Sequence, residues 1–482
     1  MLNRRSMILA ENDSNLQSPT SNFQLPTSNL QSPTSNLQCV ILAAGQGTRM
    51  KSARPKVLHE IAGQPMVRYA IEAARTISAR RPIVVIGHGA DQVQQAIGAS
   101  VRYARQAPQW GTGHAALCAR EQIDPASELV VVLYGDTPFI SAETLRRLID
   151  AHTQAAAAVS LVTFRPNDPA LYGRILRDAQ HRIVDIVEYK EATPDQRALR
   201  EVNSGIFCYD TAWLLSHLDQ LQPRPGHGEL YLTDLVGLAA REEARVASAE
   251  CDEAEVLGIN DRVQLAQAER LMRERINTRH MLNGVTLIDP ATTYIEAHVT
   301  IGPDTMLYPN THLYGQTTIG REGQIGPNTI IRDSIIGHAC QIVASLVEGA
   351  VLEDHVDMGP FSHLRQGAYL SEGVHIGNFA EVKDSRLGPG TKQGHFSYLG
   401  NATIGAEVNI GAGTITCNYD GEKKHNTEIG AGTFIGSDTL LVAPVKIGQR
   451  AKTGAGSVVT RDVADGELVY GVPARPKGRR GK

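Results

Sequence analysis

Aromatic side chains are scarce in this sequence: Phe, Tyr and Trp make up 5% of 482 residues, with 2 Trp among them. Large rings therefore cannot fill its interior, and aliphatic side chains must. Cysteine is also sparse. The six cysteines, at positions 39, 118, 208, 251, 340 and 417, include no C-x-x-C pair. This excludes a zinc ribbon or a dense disulfide framework and fits a reducing compartment, so a cytoplasmic protein is expected. Nowhere do about 18 apolar residues run together, as a spanning helix needs, and Met7 to Ala10 is too short for a signal-peptide core. Excess charge is missing too. With 47 Lys and Arg against 51 Asp and Glu, the net charge of −4 excludes binding to nucleic acid or anionic lipid through the overall field. Neither partner is expected.

Length and glycine are what the chain has in quantity. A sequence of 482 residues exceeds a single domain, and 45 glycines with a hydrophobic fraction of 42% indicate sizeable cores joined by many tight turns. Residues 15 to 38 repeat a seven-residue unit, Asn-Leu-Gln-Ser-Pro-Thr-Ser. The period is that of a coiled coil, but proline in every unit prevents a helix and the apolar positions are too few for a seam. Residues 1–38 are expected to be a disordered repetitive tail outside the fold.

From Cys39 the rhythm changes. Short β-branched runs (Cys39 to Ala43, Ile83 to Ile86, Leu129 to Leu133) alternate with amphipathic stretches (Met66 to Ala79, Ala90 to Ile97, Ala142 to Ala151). This alternation predicts an α/β domain with a mostly parallel sheet over 39–262, whose chemistry should sit at the carboxyl ends of the strands. Val263 to Ile276 reads as a connecting helix within a linker over 263–283. Arg270, Arg273, Glu274 and Arg275 should form its mostly solvated face.

A second period begins near Ile295. Aliphatic residues recur every six positions at Ile295, Ile301, Leu307, Leu313, Ile319, Ile325 and Ile331, then at Ile404 and Ile410, and at Ile429, Ile435, Leu441 and Ile447. Six suits neither a helix nor a hairpin meander, but it fits a solenoid over 284–482 whose aliphatic residues stack in the bore while glycines allow the corners. The strict period breaks between about Val356 and Tyr398, where His363, Arg365, Asn378, Glu381, Lys383, Lys392 and His395 accumulate. Such an interruption is either a corner loop or a site.

Leu42-Ala-Ala-Gly-Gln-Gly-Thr-Arg-Met50 follows an apolar strand directly, with Lys56 close behind. Glycines there let backbone N–H groups approach phosphates, and Arg49 and Lys56 supply positive charge. With Thr-Arg-Met and Pro55-Lys56 attached, the loop resembles that of the sugar-nucleotide pyrophosphorylases. Gln106, Gly111-Thr112-Gly113-His114, Leu133-Tyr134-Gly135-Asp136, Tyr172-Gly173-Arg174, Ile186-Val187-Glu188, Asn203-Ser204-Gly205 and Gly258-Ile259-Asn260 continue the match in order. Gly377-Asn378-Phe379, Glu381-Val382-Lys383, Gly394 to Gly400 and Asn409 to Asp420 extend it through the solenoid. From Cys39 onward the chain resembles the bifunctional N-acetylglucosamine-1-phosphate uridylyltransferase and glucosamine-1-phosphate acetyltransferase family.

That resemblance implies a Rossmann-like nucleotidyltransferase domain followed by a left-handed parallel β-helix of hexapeptide repeats, and an enzyme that makes UDP-N-acetylglucosamine. Glucosamine 1-phosphate would be acetylated from acetyl-CoA in the solenoid. The N-acetylglucosamine 1-phosphate formed would then take uridylyl from UTP in the α/β domain. By resemblance, Leu42, Ala43, Ala44, Gly45, Gln106, Gly111 and Thr112 hold the nucleotide, with Tyr134 and Gly135 beside it, and Gly173, Glu188 and Asn203 hold the sugar. Asp136 and Asn260 carry over as Mg²⁺ ligands, which suits an ion that draws most of its shell from phosphate and water. Arg49 and Lys56 compensate phosphate charge. In the solenoid, Arg365 and Lys383 meet the sugar phosphate, Tyr398 and Asn409 the sugar and acetyl group, and Ala412, Asn418, Tyr419, Ser437 and Ala455 the acetyl-CoA path. His395 is the general base expected to take the amine proton, since imidazole titrates near neutral pH. A homotrimer with acetyltransferase sites between neighbours is implied as well.

Two departures stand out. Gln46 occupies a position where the family often has Lys, and Tyr470-Gly471-Val472-Pro473 lacks the arginine usual before Val-Pro. Arg475, Lys477, Arg479, Arg480 and Lys482 follow, either as replacements for that CoA contact or as a solvated tail. A single-activity nucleotidyltransferase with a purely oligomerising solenoid is the competing reading, opposed mainly by the motifs at 394–399 and 409–420. A nucleotide-sugar sensor or scaffold, which should have lost Asp136, Lys56 or His395, is another.

Overall fold

The computed structural model describes residues 34–169, 172–224 and 228–476. The repeats up to residue 33, and Lys477, Arg479, Arg480 and Lys482, lie outside the described residues. The expected tail boundary at 38 moves inward: Thr34 bridges Ser78, the Asn36 carbonyl accepts from Glu128 N, and a strand begins at Leu37. Leu37 is apolar and fully buried, and its burial draws the end of the last repeat into the fold.

The α/β domain is built on a nine-stranded sheet. Its strands are β1 (Leu37–Ala43), β2 (Ile83–Ile86), β3 (Arg102–Arg105), β4 (Leu129–Tyr134), β5 (Val159–Phe164), β6 (Arg174–Arg177), β7 (Ile183–Val187), β8 (Val202–Asp210) and β9 (Val246–Glu250). The spatial order is β9-β5-β8-β4-β1-β2-β3, with β6 and β7 branching from β8. Neighbours β1–β2, β1–β4, β2–β3 and β5–β9 are parallel, whereas β8 runs antiparallel to β4 and β5. The sheet is therefore mixed, parallel around the phosphate loop as expected. Along β1, Cys39, Ile41 and Ala43 enter one core while Val40 and Leu42 enter the other, so both faces are covered and the strand is apolar throughout.

The connecting helix spans Arg262–Leu282, longer than expected at both ends. Glu269 accepts from Ala62 N on the α/β side, and Asn277 donates to the carbonyls of Pro290 and Thr293 at the start of the solenoid. Its basic face is solvated only in part. Arg270 and Glu274 form an exposed ion pair, but Arg273 lies over the Tyr294 ring and Arg275 reaches the Phe139 carbonyl.

Beyond it the chain winds as a left-handed parallel β-helix. Three sheets of 12, 10 and 9 short strands form its sides, and the register puts Ile295 on Leu313, Leu307 on Ile325 and Leu313 on Ile331. The expected interruption at Val356 to Tyr398 is not an interruption of the fold. Met358, Leu364, Leu370, Ile376 and Val382 continue the six-residue spacing and are all buried in the bore. Steps of five on either side, from Ile331 to Ile336 and from Val382 to Leu387, shift the phase and disguise it. The real irregularity comes later. Tyr398 pairs with Ile415, but Ile415 pairs with Leu440, and the extra length is extruded as a loop around Asn418 to Asn426.

The corner glycines are required by close approach of the next coil. A Cβ on Gly377 would lie 1.9 Å from the Gly394 carbonyl oxygen. We predict that Gly377→Ala displaces the corner carrying His395 and lowers acetyl transfer while leaving uridylyl transfer intact, measurable by assaying the two reactions separately.

Candidate functional sites

A cleft of about 460 Å³ opens at the carboxyl ends of β1 and β4. Leu42, Ala43, Ala44 and Gly45 form one wall, and Gln106, Gly111 and Thr112 another. Tyr134, Asp136 and Lys56 line it as well. Gly111 sits at φ 92°, and a Cβ there would lie 2.5 Å from the Leu230 carbonyl oxygen, so only glycine allows this wall. Buried Gln106 donates to the Gly111 carbonyl at 2.9 Å, which fixes its amide against the loop.

At the cleft floor, Lys56 Nζ donates to Asp136 Oδ2 and to Asn260 Oδ1, the latter at 2.9 Å. Lys56 and Asp136 lie 80 positions apart, and Asn260 comes from the far end of the domain; backbone anchors bring them together. Ile259 N donates to the Asp136 carbonyl, and Asn260 N to Gln264 Oε1 in the first turn of the connecting helix. One carboxylate oxygen and one amide oxygen thus converge on the Lys56 ammonium. That donor pair fits Mg²⁺, which needs few protein oxygens when phosphates supply the rest. Among the described residues no group of three or more His, Cys, Asp or Glu could hold a metal by itself.

Gly173, Glu188 and Asn203 cluster just beyond this floor. Asn203 N donates to the Gly173 carbonyl, and a Cβ on Gly173 would lie 3.0 Å from Ile186 Cγ2 and at ordinary contact, 3.5 Å, from the Glu188 carboxylate. Burial pushes the Glu188 carboxyl above the usual carboxylate range. Gly205, at φ 88°, lets Tyr134 pack against the same segment. Gly135 packs on Ala43 and Val57. Arg49 is placed differently from the others: it is exposed in a short turn, Thr48–Met50, and does not line the cleft.

Sequence reasoning missed Gln109 and Glu229 on the cleft wall. Gln46 Nε2 donates to Gln109 Oε1 at 3.2 Å, so the residue that replaces lysine ties the phosphate loop to the Gln106–Gly111 loop. Glu229 carries no motif, and only folding brings it near.

The second constellation lies on the solenoid. Arg365, Lys383 and Tyr398 belong to successive coils of the 10-stranded sheet or its edge. Arg365 pairs with Glu381 at 2.8 Å. The extruded loop is tied down by Asp420, which accepts from the backbone N–H groups of Glu422 and Lys423 and pairs with His425. These bonds hold the Asp420 carboxyl far below its usual range. The loop brings in Lys424, a residue that sequence reasoning did not select. Lys424, and next Arg365, depress the Lys383 ammonium below the usual lysine range, and Lys424 itself lies 3.8 Å from the Asp384 carboxylate. Asn418, largely buried, donates to Asn401 Oδ1 at 2.7 Å, and exposed Tyr419 donates to the Gly421 carbonyl.

His395 is exposed at the corner between Lys392–Gln393 and Ser397–Gly400. The same corner on following coils carries Ala412, Ser437 and Ala455. Gly413 N donates to the Phe396 carbonyl, Asp438 N to Ala412 and Gly456 N to Ser437, forming a ladder along one edge of the prism. Asn409 flanks this edge on the 12-stranded sheet, opposite in register to Lys392 and Phe434. Sequence positions far apart thus become one continuous edge of the prism.

Comparison with known proteins matches both halves. A model of the MobA-like NTP transferase domain fits residues 39–201, and one of the bacterial transferase hexapeptide, in six repeats, fits 426–461. Similar curated proteins include "Bifunctional protein GlmU" of Trichlorobacter lovleyi, 49% identical over 434 residues that cover 89% of this chain and 94% of that protein. The proteins of the same name from Heliobacterium modesticaldum and Pelobacter propionicus are 48% and 47% identical, each over 89% of this chain and 94% of its relative.

Proposed function

The chain belongs to the GlmU family of bifunctional proteins, and from that premise we propose how its residues divide two successive reactions. It is a glucosamine-1-phosphate acetyltransferase and an N-acetylglucosamine-1-phosphate uridylyltransferase, and together the two activities make UDP-N-acetylglucosamine. The single-activity alternative is not favoured, because relatedness at nearly half identity runs through both domains.

In the α/β cleft, Leu42 to Gly45, Gln106, Gly111 and Thr112 bind the nucleotide of UTP, while Gly173, Glu188 and Asn203 bind the sugar. Asp136 and Asn260 would hold Mg²⁺, which when bound supplies neutralising charge to the triphosphate. The sugar phosphate is already an anion, so no protein nucleophile is needed, and Lys56 acts by positioning and by charge. Arg49, exposed nearby, meets the outer phosphates only if its turn swings inward. The convergence of Lys56, Asp136 and Asn260 at the strand ends is the observation that carries this assignment.

On the solenoid, Arg365, Lys383 and Lys424 bind the phosphate of glucosamine 1-phosphate. Tyr398 and Asn409 bound the sugar, and His395 takes the amine proton as nitrogen attacks the thioester. Asn418 and Tyr419 lie at the acetyl end, and Ala412, Ser437 and Ala455 line the acetyl-CoA path, where small side chains leave room for an extended ligand. Exposed Phe361, Phe379 and Phe396 follow the same corner and support a homotrimer that completes the acetyltransferase sites. Sedimentation velocity tests that state. UTP and acetyl-CoA as substrates support a cytoplasmic enzyme, and no helix among the described residues is long and apolar enough to cross a membrane.

The cation cluster gives a pH prediction. Lys383 deprotonates at lower pH than an ordinary lysine, because Lys424 and Arg365 repel its proton. A phosphate bound among them favours the charged form, so KM for glucosamine 1-phosphate should rise with pH as Lys383 loses that charge. Lys424→Ala removes the largest repulsion. It should raise KM throughout and move the alkaline rise to higher pH, as KM measured against pH will report. Omitting glucosamine 1-phosphate, acetyl-CoA, UTP or Mg²⁺ in turn tests the whole assignment: each omission should stop UDP-N-acetylglucosamine formation.

A further inference from the structure

A cavity of about 760 Å³ lies where the two domains and the connecting helix meet. Helix Met66–Ile77, the loop following Asp136 and the connecting helix wall it, and it shares no lining residue with the nucleotide cleft. Three features of that wall point to a ligand.

Gln64 is 1% exposed, and neither Nε2 nor Oε1 of its amide has a hydrogen-bond partner. A buried primary amide with both polar atoms unpaired is destabilising and calls for an explanation. Arg275 and Arg279, one turn apart on the connecting helix, share the wall. The Arg279 guanidinium makes no hydrogen bond or ion pair among the described residues, and that of Arg275 only a 3.4 Å contact with the Phe139 carbonyl. Glu72 is the acidic residue of the lining and pairs with neither arginine. Ile140, Met272 and Ile276 supply an apolar part of the wall, beside the polar side chains of Tyr69, Thr76, Ser141 and His298.

An amide edge pairs with another amide, guanidinium forks pair with phosphate, and an apolar wall covers a methyl or a ring face. A phosphorylated N-acetylamino sugar offers all three. We propose that this cavity binds such a sugar phosphate, with Gln64 on the acetamide and Arg275 and Arg279 on the phosphate, as a site separate from both catalytic centres. The ligand class rests on the two reactions assigned above; the cavity and its polar lining do not. Both the intermediate, N-acetylglucosamine 1-phosphate, and the product, UDP-N-acetylglucosamine, carry this chemistry.

Calorimetric titration of the full chain with each compound, and with inorganic phosphate as a third probe, tests the proposal. One of the two sugar compounds should fill a site additional to its catalytic one. That site should weaken by about tenfold or more in Arg275→Ala/Arg279→Ala, a change of roughly one decade in Kd, and likewise in Gln64→Leu. Turnover of both reactions at saturating substrate should be unchanged in both variants. The arginine pair lies on an exposed helix surface, so that variant reports even where Gln64→Leu does not fold. A stoichiometry explained by the catalytic sites alone, or a second site that takes inorganic phosphate as tightly as the sugar, would overturn the proposal. Failure of the two-reaction reading would appear instead in the omission assay, as absence of UDP-N-acetylglucosamine.

Discussion

Asp136→Asn should lower uridylyl transfer by on the order of 10²–10³ while acetyl transfer proceeds normally. The carboxylate ends β4 at the cleft floor, where Lys56 and the Asn260 amide oxygen converge with it. Asparagine keeps the size and one oxygen but removes the negative charge that holds a cation there. The lysine then has only a neutral partner, and any divalent ion loses its one charged protein ligand. The fold should survive, since the main-chain bond from Ile259 N to the Asp136 carbonyl is untouched. Pyrophosphate release and acetyl transfer, measured on the same preparation, separate loss of this site from loss of structure. Equal damage to both reactions would contradict the assignment.

His395→Ala should have the opposite pattern, with acetyl transfer reduced by roughly 10²–10⁴ and uridylyl transfer retained. The side chain is exposed at a corner that buried neighbours fix: Gln393 before it and Leu399 after it both point into the bore and are fully buried. Removing an exposed ring therefore leaves the core unchanged. The loss should fall on turnover rather than on KM for glucosamine 1-phosphate, because the phosphate is held elsewhere by Arg365, Lys383 and Lys424. A residual rate that climbs with pH, as the amine sheds its proton unaided, would further mark the lost group as a base.

Much of this architecture was legible in the sequence because it depends on short-range periodicity. The run from Ile295 to Ile331 repeats without a miss, and each member pairs with a residue three repeats on. The middle of the solenoid hides its period for a physical reason. A coil can shorten by one residue at a corner and still stack, as at Leu387, so the bore stays continuous while the count from one end loses phase. Gln393 deepens the disguise by placing a polar residue at a bore position, where its Nε2 donates to Ser397. The phosphate loop, Lys56 and Asp136 were legible because glycines after a strand and a carboxylate ending an apolar run are local anomalies. Gln109, Glu229, Lys424 and Gln64 were not, since each is ordinary in its own segment and becomes notable only through neighbours that folding supplies. Lys424 in particular depends on the Asp420 turn, whose hydrogen bonds leave little trace in composition.

Mixing the two variants tests most directly the claim that one chain carries two separable sites joined by a diffusing intermediate. Asp136→Asn and His395→Ala proteins, combined with glucosamine 1-phosphate, acetyl-CoA, UTP and Mg²⁺, should together form UDP-N-acetylglucosamine at a substantial rate, although neither does so alone. An inactive mixture, or full activity from either variant by itself, would contradict that claim.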